Sequence, residues 1–232
     1  EKFRAILSVD QFQKGRYVVM ATARGLIKKT ALSAYSNPRA GGIRSINLTK
    51  GDRLIAVGMT SGNHDILMGT KLGLSIRFPE REARPIGRVA TGVWGIRLRK
   101  GDEVISMEIL TPNSHSAVLT VTEKGYGKRT DLSEYRSQGR GGQGIITIQT
   151  SRRNGDVIAA FQVDQEDEVM IMTASGKIVR LKMKGIRVIG RNTQGVRLIE
   201  MGAGDRVIGV ARLAEKGELE GSEEDTELPG RD

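Results

Sequence analysis

Thr22-Ala23-Arg24-Gly25, Thr70-Lys71-Leu72-Gly73, Thr122-Glu123-Lys124-Gly125 and Thr173-Ala174-Ser175-Gly176 are four copies of one phrase, set 48, 52 and 51 residues apart. Self-similarity at a fixed period of tens of residues is the mark of a fold built from repeated supersecondary units. Each copy lies between two runs of strand-forming residues, Tyr17 to Thr22 and Leu26 to Thr30 in the first, and so reads as the turn of a hairpin. The equivalent hairpins span Ile66 to Phe78, Ala117 to Thr130 and Val169 to Leu181.

Downstream of each hairpin the landmarks keep their order. A polar, Arg/Gly-rich stretch of about 12 residues, too poor in apolar side chains for a helix, reads as a loop or crossing segment. A glycine followed by alternating β-branched residues comes next (Gly42, Gly92, Gly144, Gly195), then a Gly-Asp turn at 51–52, 101–102, 155–156 and 204–205. Each turn leads into a short apolar strand: Leu54 to Val57, Val104 to Met107, Val157 to Ala160 and Val207 to Val210. In the third unit Gly144 to Ile148 and Val157 to Phe161 are expected to be two strands joined at that turn. The fold class is therefore all-β, a β-propeller-like array of four-stranded antiparallel blades, with about four complete blades and a partial one. The expected units are residues 17–63, 64–115, 116–165 and 166–214. Residues 1–16 read as the closing strand of a blade that begins upstream, and 215–232 as a disordered acidic tail.

Charge is segregated along the chain. Residues 214–232 carry eight acidic side chains against Lys216 and Arg231, a net of −6, so in a chain of formal charge +10 the remainder carries +16. A body this basic suits a polyanion, because Lys and Arg release the counterions condensed on nucleic acid phosphates. No apolar run approaches the roughly 20 residues that span a bilayer. With no cysteine there is no disulfide or thiolate metal site, and two histidines, His64 and His115, leave little for metal or acid-base chemistry. No nucleophile elbow or phosphate loop is present. The aspartates of the Gly-Asp turns recur too regularly for an active site and are expected to accept backbone N–H groups. His64 and His115 read as solvated loop residues, and Trp94 as a packing residue at a blade junction.

The basic side chains recur in register. Lys29, Arg77, Arg129 and Arg180 each stand four residues after a hairpin glycine, with Lys28 and Lys128 beside two of them and Lys182 beyond the last. They are expected to form a ribbon of positive charge along one rim, touching phosphates without reading sequence. The crossing segments add Arg39 and Arg44, Arg84 and Arg88, Arg136, Gln138 and Arg140, and Arg187 and Arg191, among glycines that let backbone approach a polyanion closely.

The hairpins ending in Lys-Lys-Thr (28–30) and Lys-Arg-Thr (128–130), Tyr-Gly-Lys-Arg-Thr (126–130), Gly-Arg-Asn-Thr-Gln-Gly-Val (190–196) and Gln-Gly-Arg-Gly-Gly-Gln-Gly (138–144) together resemble the C-terminal domain family of DNA gyrase A subunits. The resemblance extends from residue 1 to about 214. It implies a six-bladed β-pinwheel with strands exchanged between neighbouring blades, whose basic rim wraps double-stranded DNA in support of ATP-dependent negative supercoiling. It also implies a non-catalytic part of a type II topoisomerase, with the cleaving tyrosine and the ATPase elsewhere. No cofactor is expected in this chain, whereas the holoenzyme would use ATP and Mg. The implied partners are the rest of the gyrase A polypeptide and the gyrase B polypeptide in an A2B2 assembly, and the implied location is the cytoplasm, at the nucleoid. Gly139 and Gln143 stand at two positions that are basic in the family's signature heptad, and this heptad lies in the third complete repeat rather than the first blade. The related polypeptide of topoisomerase IV, which lacks a strict signature, and a protein-docking propeller stay open as alternatives.

Overall fold

The computed structural model describes residues 5–110 and 116–213. The expected acidic tail, His115 and the first residues of the expected opening strand lie outside them. Each Thr-x-x-Gly phrase closes a hairpin: β1 (Tyr17–Thr22) with β2 (Leu26–Ala31), β4 (Asp65–Thr70) with β5 (Leu74–Pro79), β8 (Ala117–Thr122) with β9 (Tyr126–Asp131), and β12 (Glu168–Thr173) with β13 (Ile178–Lys182). The glycine N–H donates to the threonine carbonyl at 3.0 to 3.1 Å in all four. The strand after each Gly-Asp turn, β3 (Leu54–Thr60), β7 (Val104–Leu110), β11 (Val157–Val163) or β15 (Val207–Arg212), pairs antiparallel with the first strand of its own hairpin. A register shift recurs where each of these pairs meets the turn, the bulge that lets a strand leave the ladder and twist.

The carboxylate of the Gly-Asp turn fastens this end of the blade. Asp52 accepts the N–H groups of Arg24 (3.0 Å) and Arg53 (2.8 Å), and Asp102 and Asp205 repeat the arrangement on Leu72 and Glu103 and on Ser175 and Arg206. Asp156 instead pairs with Lys71 of the preceding repeat at 3.3 Å.

The fourth strand of each sheet is borrowed. β6 (Val93–Trp94) pairs with β2, β10 (Ile145–Ile146) with β5, and β14 (Val196–Arg197) with β9, so each of these crossing segments completes the sheet of the repeat before it. The strand expected over Gly144 to Ile148 is thus only two residues long and lies in a different sheet from β11. Behind it, Thr147 and Ile148 donate to Gly73 O, as Gly95 and Ile96 do to Gly25 O. This docking requires glycine: a Cβ on Gly25 (φ +91°) would lie 2.5 Å from Ile96 O, and one on Gly73 (φ +82°) 2.2 Å from Ile148 O. Gly176, with no crossing segment against it, would meet nothing. The fourth sheet accordingly has three strands, β13-β12-β15. On its open edge Ile178 is 55% exposed where its counterpart Ile27 is fully buried, and Lys177, Arg180 and Lys182 supply the charge that guards such edges.

β3, β7, β11 and β15 contact one another in succession and therefore face the centre, which puts the exchanged strands and crossing segments on the perimeter. Cores form between successive sheets, one around Val19, Ile27, Ile66, Met68, Ile76, Phe78 and Ile96, another around Leu119, Val121, Val169, Ile171, Met183 and Ile199. Residues 5–14 join no ladder, and Ile6 is exposed. No helix of the described residues is long and apolar enough to cross a membrane.

Candidate nucleic-acid interface

Side chains alternate across a strand, so in β2, β5 and β9 the residue four places after the hairpin glycine points into the junction with the next repeat. Lys29 is buried and ion-paired with Glu80 at 3.1 Å, its Nζ also donating to Glu80 O at 3.2 Å. Thr60 and the His64 N–H bond the same carboxylate. Burial would raise the Glu80 carboxyl, but the hydrogen bonds from Thr60, His64 and Lys29 outweigh it and hold the group below its ordinary range. Arg77 bonds Asp65 at 2.8 Å and the carbonyls of Leu132 and Tyr135, both at 3.3 Å, and Arg129, also buried, donates to Ile186 O at 2.8 Å. Arg180 has no following repeat to reach among the described residues; it pairs with Glu168 of its own hairpin and stays 59% exposed.

Of the ribbon of charge expected at these positions, Lys29 and Arg129 are buried and Arg77 is partly buried, which leaves Arg180 exposed. Lys28 and Lys128 are also fully buried: Lys28 Nζ bonds Ser45 O and Arg88 O, and Lys128 Nζ bonds Gly190 O (2.6 Å), Arg191 O (2.5 Å) and Thr193 Oγ1 (3.1 Å). Desolvation lowers both ammonium groups to about 8, Arg88 adding to the effect at Lys28, while at Lys128 Glu134 opposes it and Arg191 adds less. Lys28, Lys29, Lys128 and Arg129 are thus corrected from phosphate contacts to buried ties between repeats. The physical reason is that each crossing segment arrives with unpaired carbonyls, which a buried cation satisfies.

The crossing segments divide their arginines between two tasks. Arg88, Arg140 and Arg191 stand four residues before the glycine that opens the alternating run of their own segments, and each donates to the preceding segment: Arg88 to Arg44 O (3.2 Å), Arg140 to Trp94 O (2.6 Å), Arg191 to Ile146 O (2.9 Å). Glu82 and Glu134 accept the backbone N–H of Arg140 and Arg191. These half-exposed guanidiniums stitch the perimeter together. Four residues earlier, Arg84, Arg136 and Arg187 are equivalent to one another and exposed, and their side chains make no hydrogen bond or ion pair among the described residues. Arg39, Arg44 and Lys182 are exposed as well; Gln138 is half-buried, its backbone N–H held by Arg77 O at 2.8 Å.

Two further expectations change. Trp94 is half exposed on the perimeter, because β6 is the outermost strand of its sheet. His64 is not a solvated loop residue: its Nδ1 lies 2.8 Å from Thr60 Oγ1 and 3.3 Å from Glu80. Arg153 and Arg197, which the repeat pattern did not single out, flank Tyr126 in the third repeat.

Comparison with known proteins also finds four repeats. The family described as DNA gyrase C-terminal domain, beta-propeller, matches residues 16–61, 64–111, 117–164 and 167–214. The chain belongs to this gyrase A C-terminal domain family. The DNA gyrase A protein of Salmonella typhimurium is 46% identical over 215 residues, and that of Staphylococcus aureus 45% over 216; each alignment covers 93% of this chain and 24% of the relative. The chain therefore corresponds to about a quarter of those gyrase A proteins. In fold it is similar to the C-terminal domain of DNA topoisomerase IV (TM-score 0.83, 25% identity, covering 88% of this chain and 64% of that one). It is likewise similar in fold to a gyrase A C-terminal domain (TM-score 0.79, 22% identity, 89% and 68%).

Proposed function

We propose that this chain binds duplex DNA without sequence preference and bends it around its perimeter, as the accessory wrapping domain of a gyrase. On this reading the DNA-cleaving tyrosine and the ATPase lie in other parts of an A2B2 assembly, which uses ATP and Mg to supercoil DNA negatively. The observation that carries it is the row of Arg84, Arg136 and Arg187, three equivalent guanidiniums left free while their neighbours four residues on are engaged in holding the segments together. A guanidinium fork suits phosphate, and repetition from blade to blade suits a curved backbone. Smooth bending costs on the order of 1–6 kcal/mol per 20–30 base pairs, which several distributed contacts offset.

The test is the linking number of nicked plasmid religated in the presence of the chain. A shift of one sign that fades with salt and is weakened in Arg84→Ala/Arg136→Ala/Arg187→Ala supports the reading; a shift unchanged by the triple variant counts against it. The likeness in fold to the topoisomerase IV domain favours a second reading, an accessory domain that binds DNA without chiral wrapping. Tight binding with no shift in linking number is its signature.

A further inference from the structure

The third blade buries a polar aromatic where the first two bury leucine and the fourth exposes Lys177. The residue after the hairpin glycine is Leu26 in the first repeat and Leu74 in the second, both buried apolar plugs, but Tyr126 in the third, equally buried and carrying a phenol. Two guanidiniums converge on that oxygen, Arg197 Nη2 at 3.1 Å and Arg153 Nε at 3.5 Å, and both lie over the ring, 5.6 and 5.1 Å from its centroid. They come from different segments: Arg197 from the exchanged strand β14, Arg153 from the loop before the Gly155-Asp156 turn. Trp94 and Ile146 occupy the position of Arg197 in the two preceding exchanged strands.

Neither arginine forms an ion pair among the described residues. Two like charges therefore share one neutral oxygen, an arrangement that blade construction does not need, since leucine serves the first two repeats. The hydrogen bonds from Arg153 and then Arg197 hold the Tyr126 hydroxyl below its ordinary titration range, the direction a positive local potential dictates. The cluster forms one wall of an open cleft of about 540 Å3, to which Lys124 and Arg206 add positive charge and Glu123 and Asp205 negative. Asp205 is already bonded to Ser175.

We propose that the cleft at Tyr126, Arg153 and Arg197 is a phosphate seat, which holds a DNA backbone phosphate where the duplex passes from the perimeter onto the face formed by the turns of the third and fourth repeats. The guanidiniums would exchange a shared neutral phenol oxygen for anionic phosphate oxygens, which they can grip in bidentate ion pairs. Arg197 follows the free Arg187 by ten residues in the same crossing segment, at most roughly 35 Å of extended chain. At 3.4 Å per base pair that is at most about ten base pairs, so a duplex resting on Arg187 reaches the cleft within about one turn. This inference rests on the DNA-binding reading above.

The test is the salt dependence of duplex affinity for the chain, for Arg153→Gln/Arg197→Gln and for Arg84→Gln/Arg136→Gln/Arg187→Gln, with melting temperatures of each. Each phosphate contact contributes about 0.9 to the slope of log K against log salt. The cleft variant is expected to lower that slope by roughly 1, the mark of one lost phosphate, with its melting temperature unchanged. An unaltered slope in the cleft variant, beside a reduced one in the perimeter variant, overturns the seat while leaving the DNA reading intact. Weak binding with no salt dependence in the parent chain would mean that the DNA reading itself has failed. A fourth arm uses pyrophosphate alone, followed by Tyr126 absorbance: micromolar binding abolished in the cleft variant without a change in DNA slope assigns the cleft to a free phosphate and overturns the proposal.

Discussion

Lys128→Met separates a charge that touches DNA from a charge that holds the fold. Methionine fills much the same volume but leaves Gly190 O, Arg191 O and Thr193 Oγ1 without the ammonium. Hydrogen bonds to a charged group contribute roughly 1.5–3 kcal/mol each, so the three together lose about 5 kcal/mol at the lower end of that range. Against it stands the relief of a buried charge: a group lowered from 10.5 to about 8 carries a penalty of roughly 3 kcal/mol at 1.36 kcal/mol per unit. The net destabilisation is therefore about 2 kcal/mol, or a fall in melting temperature of roughly 4–8 °C for a chain of this size.

The same shift sets a pH signature. The folded chain releases the Lys128 proton near pH 8 and the unfolded chain near 10.5, so between those values the unfolded state binds more protons and stability rises with pH. In Lys128→Met that rise should shrink to the part contributed by Lys28, which titrates in the same window. Urea denaturation across pH 7 to 11 reads the effect, and DNA affinity against salt completes the assay. The reasoning is refuted if the melting temperature is unchanged while the salt slope falls by about 0.9, the mark of one lost phosphate contact.

Three further outcomes are expected. Glu80→Gln strips the buried Lys29 of its partner and should cost roughly 3–5 kcal/mol near neutral pH; because Glu80 titrates below its ordinary value when folded, its stabilisation is present above the unfolded value and lost as pH falls through the folded one. An acid titration of stability should accordingly flatten in the variant. Gly73→Ala drives a Cβ to 2.2 Å from Ile148 O and should lower the urea midpoint far more than Gly176→Ala, which meets no atom and bears only the strain of φ +86°. Arg140→Ala, by freeing Trp94 O, should lower the melting temperature as well as the salt slope, whereas Arg136→Ala, which breaks no internal bond, should lower the slope alone.

The repeat, its hairpins and its turns were legible in the sequence because they rest on local chemistry. A Thr-x-x-Gly turn, a Gly-Asp turn and a run of alternating β-branched residues each specify their own backbone within a few residues, and fourfold recurrence removes the ambiguity of any one copy. The bonds of Asp52, Asp102 and Asp205 to the N–H of the next residue were legible on the same ground, whereas their bonds to hairpin turns 28 to 30 residues back were not. Which sheet a strand joins was not, since Ile145–Ile146 carries the same alternation whether it pairs with its own repeat or with β5 of the one before. That exchange decides the candidate site. Arg84 and Arg88, Arg136 and Arg140, and Arg187 and Arg191 are alike in type and in glycine-rich surroundings, yet the first of each pair is free and the second is bound to a neighbouring carbonyl. A sequence states where charge lies along the chain. Only the packing of one repeat against the next decides whether a given cation meets a buried carbonyl, a carboxylate or open water, because the partners of Lys29, Lys128, Arg140 and Arg191 come from residues 45 to 65 positions away.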